Sequence, residues 1–116
     1  HRPPDPVVVE GDAVLLEWVL ESLTKNAVDA LAGRGGRIDV SVERQPDGHV
    51  RLRVADDGPG IPREIRTRIF DAGFSTKERG WGIGLSLARR IVEENHGGRI
   101  LLTPADRGAT FDVILP

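Results

Sequence analysis

The sequence predicts a two-layer α/β sandwich, an α+β fold in which helices cover one face of a mixed, mostly antiparallel sheet. Two segments carry apolar residues at helical spacing, and two pairs of segments around turns indicate hairpins, with apolar and polar residues alternating in three of the four strands. Strands and helices do not alternate one by one, so a doubly wound parallel sheet is not expected. A chain of 116 residues suits one such domain.

The first half of the chain is predicted to contain a long helix and a hairpin. Residues 1–6 are proline-rich and are expected to be a linker, while residues 7–116 form the domain and begin with a short β-prone run. Apolar spacing predicts a helix over residues 12–31, which a glycine-rich stretch ends. Two alternating runs then meet at a Pro-Asp-Gly turn and predict an antiparallel hairpin that ends at Asp56.

The second half is predicted to hold shorter elements in a similar order. The expected elements are a short helix, a mobile polar loop, a helix that ends in two glycines, and a second hairpin, over residues 63–71, 72–81, 84–95 and 99–115. The order of elements therefore places helices against one face of the sheet.

Composition excludes several classes of protein. With 16 Lys and Arg against 18 Asp and Glu, the net charge of -2 gives no broad attraction to nucleic acid or to an anionic membrane. The absence of cysteine excludes disulfides, thiolate zinc sites and thiol nucleophiles. No apolar stretch approaches the roughly 20 residues of a membrane span, so a soluble, cytoplasmic domain without membrane contact is expected.

Asp56 begins a glycine-rich segment, residues 56–62, directly after a predicted strand. Gly58 and Gly60 would let the backbone approach a flat ligand, and the Asp56 carboxylate could accept a hydrogen bond from an exocyclic amine. Asp, Gly and Pro are also the commonest turn residues. On this segment alone, a plain surface turn is therefore the alternative.

A second glycine run, Gly80, Gly82 and Gly84, leads into the second long helix. Backbone N–H groups and the positive end of a helix suit phosphate oxygens, although a flexible helix start is the alternative. The pattern matches neither the P-loop nor the dinucleotide fingerprint. Lys77, shortly before the run, could reach a terminal phosphate or could serve only as an exposed charge.

A polar stripe follows the first helix, where Ser22, Asn26 and Asp29 are spaced by four and three. The Asn26 amide oxygen could complete the shell of a hydrated Mg²⁺ that nucleotide phosphates bind, which is how magnesium is commonly held. A solvated asparagine is the alternative for this helix alone.

Taken in order, four segments closely resemble the ATP-binding domain of sensor histidine kinases. The segments are residues 16–30, 56–62 and 70–87, and the closing run Gly108-Ala109-Thr110-Phe111 with its terminal Leu115-Pro116. The resemblance covers about residues 7–116, and four motifs in one order are far more specific than any one of them. It implies the Bergerat fold, which DNA gyrase, a heat-shock chaperone and mismatch-repair ATPases share.

The resemblance also implies roles for individual residues in binding ATP or ADP. Asn26 would coordinate Mg²⁺ and act with Lys77 in catalysis. Asp56 would bind the adenine amine, Gly58 and Gly60 would shape that pocket, and Thr110 would support the pocket. The other implied nucleotide contacts are Asp29, Gly58, Gly60, Ile61, Phe70, Ser75, Thr76, Gly80, Trp81, Gly82, Ile83, Gly84 and Leu85.

The implied reaction is transfer of the γ-phosphate to a histidine on a separate dimerisation and histidine-phosphotransfer domain of the parent protein, with a response regulator as an indirect partner. Residues 70–77 resemble the start of a lid that is mobile without nucleotide. Ser22 stands where these kinases carry asparagine and the chaperone relatives carry a glutamate base, so hydrolysis by this chain alone is not expected. No helix with an acceptor histidine precedes Pro6. Self-phosphorylation is therefore not expected either.

Other functions fit less well. A stand-alone serine kinase of the anti-sigma type, which also sequesters a transcription factor, is the main alternative, but residues 79–87 look more like sensor kinases. A nucleotide-driven switch like the chaperone would need a glutamate at Ser22 and a longer chain. A purely structural domain would make the placement of Asn26 and Asp56 a coincidence.

Overall fold

A computed structural model describes residues 11–31, 35–71, 84–105 and 107–116. The predicted strand over residues 7–9 and the predicted loop over 72–81 lie outside these ranges. Helix α1 spans Ala13–Leu31, as the apolar spacing predicts. Its start is capped by Asp12, whose Oδ1 accepts the Leu15 backbone N–H at 3.1 Å.

Four described strands form one sheet with the order β1-β2-β4-β3. The strands are β1 (Ile38–Arg44), β2 (Val50–Asp56), β3 (Arg99–Thr103) and β4 (Ala109–Leu115). Both predicted hairpins are confirmed. Each described pair is antiparallel, so no parallel pairing of the expected mixed sheet occurs among these strands.

The second long helix has two parts. Helix α2 spans Gly84–Arg90 and continues without a break as a π-helical turn over Ile91–Asn95, so its predicted extent is confirmed while its last turn is wider than an α-helix. At the end of this turn, the His96 Nδ1–H donates to the Ile91 carbonyl at 2.9 Å. Gly97 then turns the chain with φ of 66°.

The short helix expected over residues 63–71 is shorter than predicted. Only Arg63–Ile65 is helical, as a single 3-10 turn, and further turns follow up to Phe70. The N–H groups of Arg68 and Asp71 bond to carbonyls three residues back, at 2.9 Å each. The segment therefore has the tighter bonding of 3-10 turns, which is frequent in short connecting pieces of chain.

The core lies between the helices and one face of the sheet. α1 buries residues spaced by four, Val19, Leu23 and Ala27, and β4 contributes Phe111 and Val113 from its inner face. The alternation of β2 places Val54 and Asp56 on that same face, since they pair with Phe111 and Ala109. The Asp56 side chain, at the end of β2, therefore faces the layer of helices.

The outer face of the sheet carries an ion pair between two neighbouring strands, β2 and β4. Arg53 donates from Nε and Nη2 to the two oxygens of Asp112, at 2.7 and 2.8 Å, and Thr103 donates to Asp112 Oδ2 at 2.6 Å. Burial acts to raise the pKa of Asp112, but the bonds from Arg53 and Thr103 outweigh it, so the pKa lies below its usual value.

This pair predicts an acid-dependent part of the folding stability. Because the folded pKa of Asp112 lies below the unfolded value of about 3.9, its contribution is present above that pH and is lost as the pH falls through the folded pKa. Replacing Asp112 by Asn should lower the unfolding free energy at pH 7 by about 1 to 2 kcal/mol, a figure reduced because the partly exposed Arg53 is screened by water.

Urea unfolding between pH 7 and pH 2 measures this contribution. The difference between wild type and Asp112→Asn should shrink below about pH 4. The exposed Asp39→Asn is the control and should show no such convergence. A constant difference across the whole pH range would contradict the role given to Asp112.

Candidate functional site

Asp56 lies at the end of β2 with its side chain directed to the helix face of the sheet. The residue is only 6% exposed, and its Oδ1 accepts the backbone N–H of Gly58 at 2.9 Å. This bond fixes the orientation of the carboxylate. A buried, oriented carboxylate at the open end of a strand is suited to accept a hydrogen bond from a ligand.

The loop after Asp56 runs close to two neighbouring segments. A Cβ atom at Gly58 would lie 3.0 Å from Asp56 Oδ1 and 3.2 Å from the Ala30 carbonyl oxygen of α1. Gly60 has φ of +80°, and a Cβ there would lie 3.0 Å from the Gly108 carbonyl oxygen. Glycine at these positions lets the loop pass between the end of α1 and the turn before β4.

Three apolar residues that the resemblance implies at the site pack against the core. Ile61, Phe70 and Leu85 are partly buried and pack against the core. The Phe70 ring meets the Phe111 ring edge to face, with centroids 6.1 Å apart and planes at 88°. All three positions implied by the resemblance are thus anchored in the core.

α1 brings its polar stripe to the same region. Ser22 and Asn26 are partly buried, next to the buried Leu23 and Ala27, whereas Asp29 is exposed. Ala30, one turn after Asn26, reaches the Gly58 backbone. The helix therefore connects Asn26 to the Asp56 loop, while Asp29 points away from the buried part of the site.

A cavity of about 310 Å³ opens beside the loop. It is lined by Ala30, Leu31, Gly35, Asp57, Gly58, Pro59 and Arg107. Neither Asp57 nor Arg107 is singled out by the sequence analysis. The sequence signal that could have identified Asp57 is its position as the first residue after a predicted strand, where the backbone leaves the hydrogen-bonding pattern of the sheet.

The structure does not bring Thr110 to Asp56. Partners in an antiparallel pair share a face, and Asp56 pairs with Ala109 whereas Thr110 pairs with Ala55 and Thr103. Thr110 is buried but lies on the outer face of the sheet. The expected support of the adenine pocket by Thr110 is therefore corrected: Ala109, not Thr110, lies opposite Asp56 on the inner face.

Other predicted contacts lie outside the described residues. These are Ser75, Thr76, Lys77, Gly80, Trp81, Gly82 and Ile83. The run nevertheless ends at Gly84, the first residue of α2. Within the described ranges, no three His, Cys, Asp or Glu side chains are grouped as metal ligands. No helix in these ranges is long and apolar enough to cross a bilayer.

The sheet, the covering helices and the buried carboxylate beside a glycine loop define an ATP-binding domain of the Bergerat fold. Residues 11–116 match the family described as histidine kinase-, DNA gyrase B- and HSP90-like ATPases, and the chain belongs to this family. Its similarity to histidine kinases within the family confirms the predicted sensor-kinase type, and the anti-sigma-type alternative is not favoured.

Known proteins similar to the chain include sensor kinases and their isolated domains. The C4-dicarboxylate transport sensor protein DctB of Rhizobium meliloti (strain 1021) is 38% identical over 97% of the chain, which spans 18% of that protein. The catalytic domain of the histidine kinase ThkA, in a nucleotide-free form, is 38% identical with a TM-score of 0.83 over 93% of the chain and 70% of that domain. Full-length ShkA in complex with AMPPNP is 31% identical with a TM-score of 0.76 over 88% of the chain and 21% of ShkA.

Proposed function

We propose that the chain binds Mg²⁺-ATP between α1 and the loop after β2, and presents the γ-phosphate to a histidine on a separate dimerisation and phosphotransfer domain of its parent protein. The single observation that carries this proposal is the buried Asp56 carboxylate, held by the Gly58 N–H at 2.9 Å. The similarity to ShkA, solved with AMPPNP, supports the same assignment.

The residues around Asp56 fit an adenine base. With Oδ1 bonded to Gly58, the second carboxylate oxygen is the acceptor for the exocyclic amine. Gly58 leaves space that a side chain would fill, since a Cβ there would press on both Asp56 and Ala30. A 6-oxopurine would set its own oxygen against the carboxylate, so the site prefers adenine.

Asn26 is the residue that would hold Mg²⁺, through its amide oxygen. An uncharged oxygen ligand on a rigid helix fits a cation that phosphates and water bind on its other sides. Bound Mg²⁺ would neutralise charge on the phosphates during transfer. Ser22, one turn earlier, offers no carboxylate to activate water, so the residues of α1 favour transfer over hydrolysis.

Phosphate contacts from Lys77 and from the Gly80, Gly82 and Gly84 backbone complete the proposed site. In the parent protein, which we infer to be a two-component sensor kinase, the phosphate then passes from the histidine to a response regulator. Because the reaction uses ATP, we infer that it takes place in the cytoplasm.

Calorimetric titration of the chain with ATP and ADP, with and without Mg²⁺, tests the proposal. We expect binding that Mg²⁺ strengthens, and we expect Asn26→Ala to remove most of that strengthening because the metal loses a ligand. Lys25→Ala, an exposed change on the same helix, is the control. With γ-labelled ATP the chain alone should take up no label, and label should appear on an added acceptor-histidine domain.

Two outcomes would overturn this assignment. A folded wild-type chain that binds neither nucleotide has no working site. Equal strengthening by Mg²⁺ in wild type and Asn26→Ala would remove Asn26 from the metal site.

A further inference from the structure

Asp57 is hydrogen-bonded twice to Arg37 where β1 and β2 end. The Asp57 backbone N–H donates to the Arg37 carbonyl at 3.2 Å, and Asp57 Oδ1 accepts the Arg37 backbone N–H at 2.8 Å. The register of the two strands ends with the pair of Ile38 and Asp56. These two bonds therefore add one further pair to the ladder.

In this added pair, a side chain replaces a main-chain acceptor. Each residue of a hydrogen-bonded antiparallel pair normally accepts with its own carbonyl. Here the Asp57 carboxylate accepts instead, so the backbone can turn into Gly58 while the Arg37 N–H keeps its partner. Asp57 thus ends the strand and begins the glycine loop without leaving an unpaired donor.

The same carboxylate packs against the connection between α1 and β1. Gly36 has φ of +148°, and a Cβ there would lie 2.6 Å from Asp57 Oδ1 and 2.8 Å from Leu31 Cδ2. Leu31 is the last residue of α1. Asp57 therefore contacts the segment that joins the helix carrying Asn26 to the sheet carrying Asp56.

We propose that Asp57 is a positioning residue, whose carboxylate sets the distance between the Asp56 loop and α1 that adenine recognition requires. This inference rests on the proposed nucleotide site. Without the anchor, the loop moves relative to α1 and the bond from Asp56 to the 6-amino group weakens. Binding energy from phosphates and Mg²⁺ does not depend on that bond.

The test compares ATP with ITP, which carries an oxygen in place of the 6-amino group. Asp57→Ala should weaken ATP binding about 5- to 10-fold and leave ITP binding within about twofold, so the preference for ATP falls. Asp57→Asn should keep most of the preference, because its amide oxygen still accepts the Arg37 N–H. Asp39→Ala is the matched control, since it removes only the exposed contact with the Arg37 side chain, at 3.0 Å.

Gly36→Ala provides a second, independent variant. Its added methyl group displaces the Asp57 carboxylate without removing it, so it should lower the ATP preference as Asp57→Ala does. The same change at Gly48, whose φ is +90° and whose surroundings are open, should leave the preference unchanged. Melting curves of each variant confirm that the assay temperature lies below unfolding.

Each outcome decides for or against the role of Asp57. A lower ATP preference in Asp57→Ala and Gly36→Ala, with rescue by Asn, supports it. An unchanged preference for ATP over ITP overturns it. An equal loss of affinity for ATP and for ITP also overturns it, since a purely structural residue would weaken the binding of both nucleotides alike. If the wild type binds neither nucleotide, the proposed function itself fails. Failure of the proposed function is thereby distinguished from failure of the role given to Asp57.

Discussion

Asp56→Asn should weaken ATP binding by about 30- to 100-fold, because both oxygens of the carboxylate are needed as acceptors. One oxygen accepts the Gly58 N–H at 2.9 Å, and the other is left for the adenine amine. An asparagine has only one acceptor oxygen, so in either rotamer its NH₂ group faces an N–H donor. The change is nearly isosteric, so the fold should persist.

Calorimetry with ATP and ITP measures this effect. In Asp56→Asn, an NH₂ group turned towards the base can donate to the 6-oxygen of ITP, so the preference should shift towards ITP. Asp47→Asn in the β1–β2 turn is the control, since its side-chain oxygen can still accept the His49 N–H. An ATP dissociation constant within about threefold of wild type would exclude Asp56 as the adenine ligand.

Gly108→Ala should be the most destabilising single change at the site. Gly108 has φ of +70°, and a Cβ there would overlap the Asp56 carbonyl oxygen and come within 2.7 Å of its carbon. Both atoms belong to the backbone, so no rotamer relieves the contact. We expect a loss of about 3 kcal/mol or more in the free energy of unfolding, together with weaker ATP binding as Asp56 is displaced.

Urea unfolding separates the cost of the steric overlap at Gly108 from the cost of placing alanine at a positive φ. Gly48→Ala shares a positive φ, of +90°, but meets nothing within 4 Å, so it should cost only about 1 to 2 kcal/mol. If Gly108→Ala does not fold, the milder Gly60→Ala, with its 3.0 Å contact to Gly108, should fold and show the intermediate loss. Equal losses in Gly108→Ala and Gly48→Ala would contradict the close approach.

Most of the fold could be predicted because local periodicity determines it. Spacing by four identifies Val19, Leu23 and Ala27 as the buried stripe of α1, and alternation identifies β1, β2 and β4. The π-helical turn could not be predicted, since apolar spacing does not distinguish it from an α-helical turn. The ion pair of Arg53 and Asp112 depends on a register between residues 59 positions apart.

The site was predictable where it follows from a strand end, and less so elsewhere. Asp56 lies on the inner face because it continues the alternation of β2. The same alternation through Phe111 and Val113 assigns Thr110 to the outer face, against the role that the resemblance implies for it. The role proposed for Asp57 depends on hydrogen bonds to Arg37, which no spacing reveals.

His96 joins the two long helices at the ends remote from Gly58. Its Nε2 accepts the Asp12 N–H at 2.9 Å, while its Nδ1–H donates to the Ile91 carbonyl at 2.9 Å. Gly11 packs so closely on this ring that a Cβ would lie 2.6 Å from it. The first turn of α1 and the last turn of the second helix are thereby coupled mechanically. A displacement of the first turn of α1 would therefore be transmitted through the imidazole to the last turn of the second helix.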